Sequence, residues 1–266
     1  MNLIQLTPFD LALTSSLIIA LAVISHLIRL DIGKRLIIAA LRTAVQLTLI
    51  GLVLKILFAN VHLGWIVLMS LLMLAIAGRE VLARLNRRFT GWWGYSIGTL
   101  SMSLSSFTVT MLALLVIIEP VPWYQPQYAI PLLGMMLGNT MTGVALSLDR
   151  LTQAAWDQRA AIEARLMLGD AAHQAIGDIR RSSISNGMIP TINSMAAAGI
   201  VSLPGMMTGQ ILSGTEPVEA VKYQILIMFL IAAGTGFGAI CAVWLGSRRL
   251  FDDRDRLRLD RLQVSK

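Results

Sequence analysis

The stretch 79–126, REVLARLNRRFTGWWGYSIGTLSMSLSSFTVTMLALLVIIEPVPWYQP, decides the fold class. No charged residue falls between Gly94 and Ile118. That run exceeds the roughly 20 residues a helix needs to cross about 30 Å of hydrocarbon. Arg79, Arg84, Arg87 and Arg88 precede it, whereas Glu119 and a proline cluster follow it with no Lys or Arg. An apolar run with basic residues on one side only is the pattern of a membrane helix that starts at the cytoplasmic face.

Working outward, the pattern repeats. Windows at about 10–30, 36–58, 63–83, 94–118, 127–148, 188–212 and 221–246 meet the length test. Segments 29–35, 79–93, 149–189 and 248–266 hold 19 of the 22 Lys and Arg, those near 58–63 and 119–128 hold none, and the one near 213–222 holds only Lys222. The fold class is therefore all-α, a polytopic transmembrane bundle of about seven spans in the inner (plasma) membrane, N-terminus outside and C-terminus inside. Residues 1–266 are expected to form one membrane domain with a cytoplasmic segment at 149–189.

With 56% hydrophobic and 14% charged residues and a mean hydropathy of +0.70, a soluble domain is excluded. The runs lack the two-residue alternation of an outer-membrane barrel. A net charge of +7 belongs to the inner loops and anionic lipid headgroups, and no nucleic-acid partner is expected. The first span lacks the basic start of a secretory signal and is expected to be retained. Cys241 stands alone, so an internal disulfide is excluded. Trp65 and Trp123 fall at expected outer ends, and Trp92, Trp93 and Trp244 at inner ends. Glu119–Pro131, with four prolines, reads as a short, stiff outer connection.

In the segment 149–189, Leu151, Ala155, Ile162 and Leu166 recur at helical spacing. Gly169 interrupts the helix, and Asp170 reads as the N-cap of a second one. The segment is either a solvated connector or a docking element whose knobs at Ile162, Leu166 and Leu168 enter a partner's groove.

Inside the spans, Gly134-x-x-x-Gly138 and Gly205-x-x-x-Gly209 permit close helix approach. Pro204 kinks or breaks its helix, as structural bend or as hinge of a substrate path. Arg42 and Gln46 share one face; the arginine either snorkels or faces a cavity. Ser101, Ser103, Ser105, Ser106 and Thr108 are the polar residues of the fourth span. Asn139 is too deep to snorkel and should bond another helix or line a path. Met135, Met136, Met141, Met206 and Met207 flank these positions, as soft-metal ligands or as gap fillers. No P-loop, zinc-protease or nucleophile-elbow motif occurs, and intramembrane carboxylates are sparse. A transporter so equipped needs an outside source of energy.

Two groups of residues carry a resemblance. Glu163-Ala164-Arg165-x-x-x-Gly169 resembles the cytoplasmic loop by which ABC permeases meet their ATPase, with Arg165 where Ala is usual and Arg180-Arg181 where Leu-Pro would be expected. Ser202-Leu-Pro-Gly-Met-Met-Thr-Gly209, with Glu216-Pro217-x-x-Ala220-x-Lys222-Tyr223-Gln224, resembles FetB-type permeases, a bacterial family with plant relatives linked to aluminium tolerance. Pro131-x-x-Gly134-Met135-x-x-Gly138-Asn139-x-Met141 and Arg42-x-x-x-Gln46 fit the same family, from about residue 35 to 246. The resemblance implies a permease subunit for iron export and oxidative-stress resistance, and a homodimer of this chain is expected. It binds no cofactor itself, while ATP and Mg sit on a separate ABC-type ATPase. It places Glu163 and Gly169 in the coupling role. Arg42, Gln46, Met135, Asn139, Met206 and Met207 are candidates for the substrate path, and Gly134, Gly138, Pro204, Gly205 and Gly209 for hinge and packing. The alternatives are an ABC permease for an organic solute and a self-sufficient carrier or channel.

Overall fold

Backbone groups have no water to bond within hydrocarbon, so each apolar run closes its own hydrogen bonds as a helix. The structure, a computed structural model, describes residues 7–30, 32–59 and 61–264; what is expected of residues 1–6 and of Lys266 lies outside them. The chain divides into two compact units.

The first unit, residues 1–62 with 212–214, contains α1 (Pro8–Leu27) and α2 (Gly33–Ala59). Thr7 and Asp10 cap α1 reciprocally: the Thr7 N–H donates to Asp10 Oδ2 at 2.8 Å and the Asp10 N–H to Thr7 Oγ1 at 3.4 Å. The helix ends where Arg29 turns left-handed and the Leu30 N–H reaches the Ser25 carbonyl at 2.9 Å. A side chain at Gly33 would lie 2.9 Å from the Ala22 carbonyl oxygen, so glycine lets the helices close over Ala22 and Ser25. Elsewhere α2 is almost wholly exposed and apolar, as a lipid-facing helix is.

The second unit runs from α3 (Leu63–Arg84) through strand β1 (Arg87–Phe89) into the span Trp93–Ile118. That span comprises α4 (Trp93–Met102), a π-turn Ser103–Phe107, α5 (Thr108–Leu112) and a π-turn Ala113–Ile118. There follow α6 (Pro126–Asp157), α7 (Arg159–Met167), α8 (Ala172–Ala175), α9 (Gly177–Ala197), α10 (Gly205–Leu212), α11 (Pro217–Arg249) and β2 (Leu262–Val264). Pro126 opens α6, where its missing N–H costs nothing, and Pro131 lies inside the helix. The proline-rich connection is thus shorter than the sequence suggests.

Six helical segments among the described residues are long and apolar enough to cross a membrane. The seventh expected span, 188–212, is no continuous helix. It breaks at 198–204, where Gly199 is left-handed and Pro204 withholds a donor, and its first half belongs to α9, which starts at Gly177 and carries Asp178, Arg180 and Arg181.

The core is built by α6, α9 and α11 with α3 and the π-turned span around them. The closest approach joins α6 to α9: a methyl at Gly187 would overlap Ser147 Oγ and lie 2.5 Å from the Gly143 carbonyl oxygen. On α11, a methyl at Gly238 would lie 2.5 Å from Thr140 Cγ2 and 2.9 Å from Ser105 Oγ.

At the arginine-rich end the segments after α3, α6 and α11 meet. β1 pairs antiparallel with β2, bringing residues 87–89 against 262–264. Asp149 accepts the Asn86 N–H at 2.8 Å and Thr152 donates to the Arg87 carbonyl at 2.9 Å. The Arg87 guanidinium lies 4.1 Å over Trp156, and that of Arg249 lies 4.5 Å over Trp93. Leu250, Phe251 and Leu262 are buried, so the tail is packed structure. Its turn is held by Asp252, which accepts the N–H groups of Arg254 at 3.0 Å and Arg256 at 2.9 Å. Those backbone hydrogen bonds, chiefly from Arg256, hold the Asp252 carboxyl below its ordinary value; Arg258 does the same to Asp260.

Two outcomes follow from this packing. Gly187→Ala should lower the thermal midpoint of the detergent-solubilised protein through an overpacking cost of about 1–3 kcal/mol, because a backbone carbonyl stands in the way. Gly51→Ala, with open space around it, should leave the midpoint near that of the parent. Carboxylates depressed on folding stabilise the tail above the ordinary range near 4, and that support is lost as pH falls through the depressed values. Asp252→Asn should accordingly speed tryptic cleavage at Arg254 and Arg256 several-fold at neutral pH.

Candidate functional site

The expected coupling element stands out from the basic end of the second unit. Helix α6 runs unbroken to Asp157, and α7 follows after Gln158, whose N–H caps α6 at the Ala154 carbonyl, 2.9 Å away. α7 ends at a turn in which Gly169 takes φ +97°, a conformation that nearly every side chain resists. Residues Met167 and Leu168 at this tip are 84% and 87% exposed and lie side by side on the basic end of the unit. Glu163, Ala164 and Gly169 are exposed, and Leu166 is half-buried. Ile162 is 2% exposed and packs into the chain's own core, so it anchors α7 and cannot serve as a docking knob. The apolar tip consists of Met167 and Leu168.

Asp170 does not cap the next helix, as its position in the sequence suggests. It accepts the Arg165 Nε–H at 2.9 Å, and Arg165 Nη1 also reaches Asp178 Oδ2 at 3.2 Å. The cap of α8 is made instead by Gln174, which accepts the Ala171 N–H at 3.1 Å. Arg165 therefore ties the turn to the start of α9, and its carboxylate partners, Asp170 first, raise its pKa. Beside the tip lies a groove of about 510 Å³ between Glu163, Leu166, Met167 and Asp170 on one wall and Arg254, Arg256 and Leu257 on the other. Nothing in the periodicity of the tail marks that second wall; the only signal is Leu250, Phe251, Leu257 and Leu262 spaced among charges.

The intramembrane candidates divide into separate groups. Arg42 and Gln46 lie on the exposed surface of α2 in the first unit. On α6, Gly138 and Asn139 are exposed and Met135 is half-buried. The Asn139 amide donates to the Met135 carbonyl of its own helix at 2.8 Å instead of bridging to another. No atom approaches within 4 Å of where side chains would stand at Gly138, Gly205 or Gly209, whereas at Gly134 the Met73 methyl is 3.1 Å away. Close approaches in the core fall at Gly143, Gly187, Gly234 and Gly238, and at Gly78 between α3 and α4.

At the helix break, Pro204 and Met207 line a cavity of about 530 Å³ with Met195, Gln224 and Met228, while Met206 next to it is half-buried. Gln224 is 8% exposed and its carbonyl oxygen has no partner among the described residues. This wall offers thioethers and one amide, and no charged side chain. Among the described residues no three His, Cys, Asp or Glu side chains gather in a metal-binding group.

Residues 8–251 match the Uncharacterised protein family UPF0014. A UPF0014 membrane protein of Synechocystis is 41% identical over 86% of this chain and 87% of its own length. The UPF0014 membrane protein YjkA of Bacillus subtilis is 34% identical, covering 94% and 97% of the two chains. An Escherichia coli protein named probable iron export permease protein FetB is 31% identical over 99% of both. No solved structure matches the chain significantly. Six apolar membrane-length helices, a family match over nearly the whole length and relatives of the same extent agree: this multi-pass membrane protein belongs to the UPF0014 family.

Proposed function

We propose that this chain is the membrane subunit of an inner-membrane ABC transporter that exports iron, acting as a homodimer with two ATP-binding subunits. The observation that carries the reading is the apolar tip Met167–Leu168 at the end of a braced helix, on the arginine-rich face that positive-inside topology assigns to the cytoplasm. A partner's groove accepts such a tip, and α7 passes its displacement to α6. Closure of the ATPase pair would push the tip, rocking α6 and the α9–α10 break about Gly134, Gly138 and Pro204 and shifting the balance between inward-open and outward-open forms. The iron cargo rests on likeness to the Escherichia coli relative named for iron export. A second reading, an organic solute as cargo, is supported by the uncharged cavity beside Pro204, Met207 and Gln224.

Co-purification and reconstitution test this. The pure chain should hydrolyse no ATP, and with its ATP-binding partner the complex should hydrolyse ATP faster when iron is supplied. Leu168→Asp should weaken binding of that partner roughly tenfold or more, as removal of an exposed anchor does. Gly169→Val, which puts a β-branched residue at positive φ, should retain membrane insertion while ATP hydrolysis no longer drives transport. Full coupling in both variants would refute the docking assignment. Stimulation by an organic solute and not by iron would establish the second reading.

A further inference from the structure

The interior of the second unit contains hydroxyls that its packing does not explain. Ser105, Ser106, Thr140, Ser147 and Thr235 are each at most 5% exposed, and among the described residues none of their oxygens has a hydrogen-bond partner; Thr110, likewise buried and unpartnered, lines a separate apolar cavity and stands apart from these five. Serine and threonine in a helix ordinarily bond the carbonyl one turn back, as Ser101 does with Ile97 and Ser183 with Ile179 in this same bundle. The five do not.

They are also gathered in one place. Thr140 and Ser147 lie on one face of α6, together with Gly143 and Val144. A methyl at Gly238 on α11 would meet both Thr140 Cγ2 and Ser105 Oγ, so Ser105, Thr140 and Gly238 share one point. A methyl at Gly143 would overlap Thr235 and lie 3.2 Å from the Gly187 carbonyl oxygen, and one at Gly187 would overlap Ser147. The hydroxyls of the α4–α5 span, α6 and α11 therefore lie along one seam, closed on its α9 side by Gly187. Ser105, Thr140 and Thr235 each sit within about two residues of the middle of their helices, Trp93–Ile118, Pro126–Asp157 and Pro217–Arg249. Ser105 and Ser106 occupy a π-turn, where backbone register is shifted and functional sites often fall.

We infer that this hydroxyl seam, closed in the present conformation, is the transport path, and that it carries an oxygen-coordinated cargo such as a hydrated hard metal cation. Hydroxyls both donate and accept, so they serve the water shell of an ion without holding it tightly. Neutral oxygen suits hard cations, whereas thioethers suit soft ones. The unpaired state of the five oxygens is relieved when water or hydrated cargo enters between α6 and α11, which makes opening easier along this seam than along an apolar one. Mid-membrane placement at facing helices is where alternating-access carriers hold their cargo. The inference rests on the transport reading above and specifies which interior surface performs it.

Two measurements on the full chain in membranes test it. Thr140→Cys and Thr235→Cys, each made with Cys241→Ala, are treated with a small cationic methanethiosulfonate reagent, and Val243→Cys, equally buried, serves as the core control. Reaction at least tenfold faster at the seam positions is expected; rates equal to the control overturn the path, whatever the cargo. Separately, the isosteric pair Thr140→Val with Thr235→Val should keep or raise the thermal midpoint, because it removes orphaned hydroxyls, while iron flux falls at least tenfold. Unchanged flux, in a parent protein that moves iron, also overturns the inference. A parent that moves no iron defeats the proposed cargo alone, and the labelling rates then decide the path. A lowered thermal midpoint in this double variant shows that the hydroxyls are bonded in the closed form, and overturns the inference at its premise.

Discussion

The close approach of α6 to α9 and α11 is the constraint on which the second unit depends. Lipid provides no hydrophobic drive between helices, so membrane bundles hold through van der Waals fit and backbone proximity. Here that fit is made at Gly143, Gly187 and Gly238, each facing backbone or a small hydroxyl side chain of a neighbouring helix. Larger residues at these points would separate α6 from α9 and α11 together, because the same face of α6 serves both contacts.

The arrangement also joins the interior to the basic end mechanically. α6 is a single helix from Pro126 to Asp157, and its lower half carries Leu148, Leu151 and Ala155, fully buried against Phe89 and the start of the tail. α7 is rooted by Ile162 in that same core. Displacement of the tip at Leu168 therefore reaches the centre of the bundle through two helices joined at the single residue Gln158. The stack of Arg87 on Trp156 fixes α6 near its basic end, and that of Arg249 on Trp93 joins α11 to α4 there.

Much of this was legible in the residues, because composition and charge act locally. The run Gly94–Ile118 and its flanking arginines determine a span and its polarity without reference to anything else. The break at Pro204 and the turn at Gly169 follow from backbone restrictions of single residues. What escaped depends on helix rotation. Periodicity and motif spacing single out Gly138 and Asn139, yet the face of α6 that packs is one residue on, through Met136, Thr140, Gly143 and Ser147. A rotation of about 100° per residue separates the two faces, and only the partners on α9 and α11 select between them. The tail was illegible for a related reason: Leu250, Phe251 and Leu262 are too few to signal structure until β1 supplies a strand for β2.

The brace around the coupling turn has one more implication. Arg165, Asp170 and Asp178 are all substantially solvent-accessible, so their attraction is subject to dissolved ions. Counter-ions screen charges over about 8 Å at physiological ionic strength and over about 30 Å in dilute buffer. The elbow is thus a spring whose stiffness is set by the medium: taut in low salt, softer in the cell. Under the proposed docking role, force transmission through this turn should vary with electrolyte even when every protein contact stays the same.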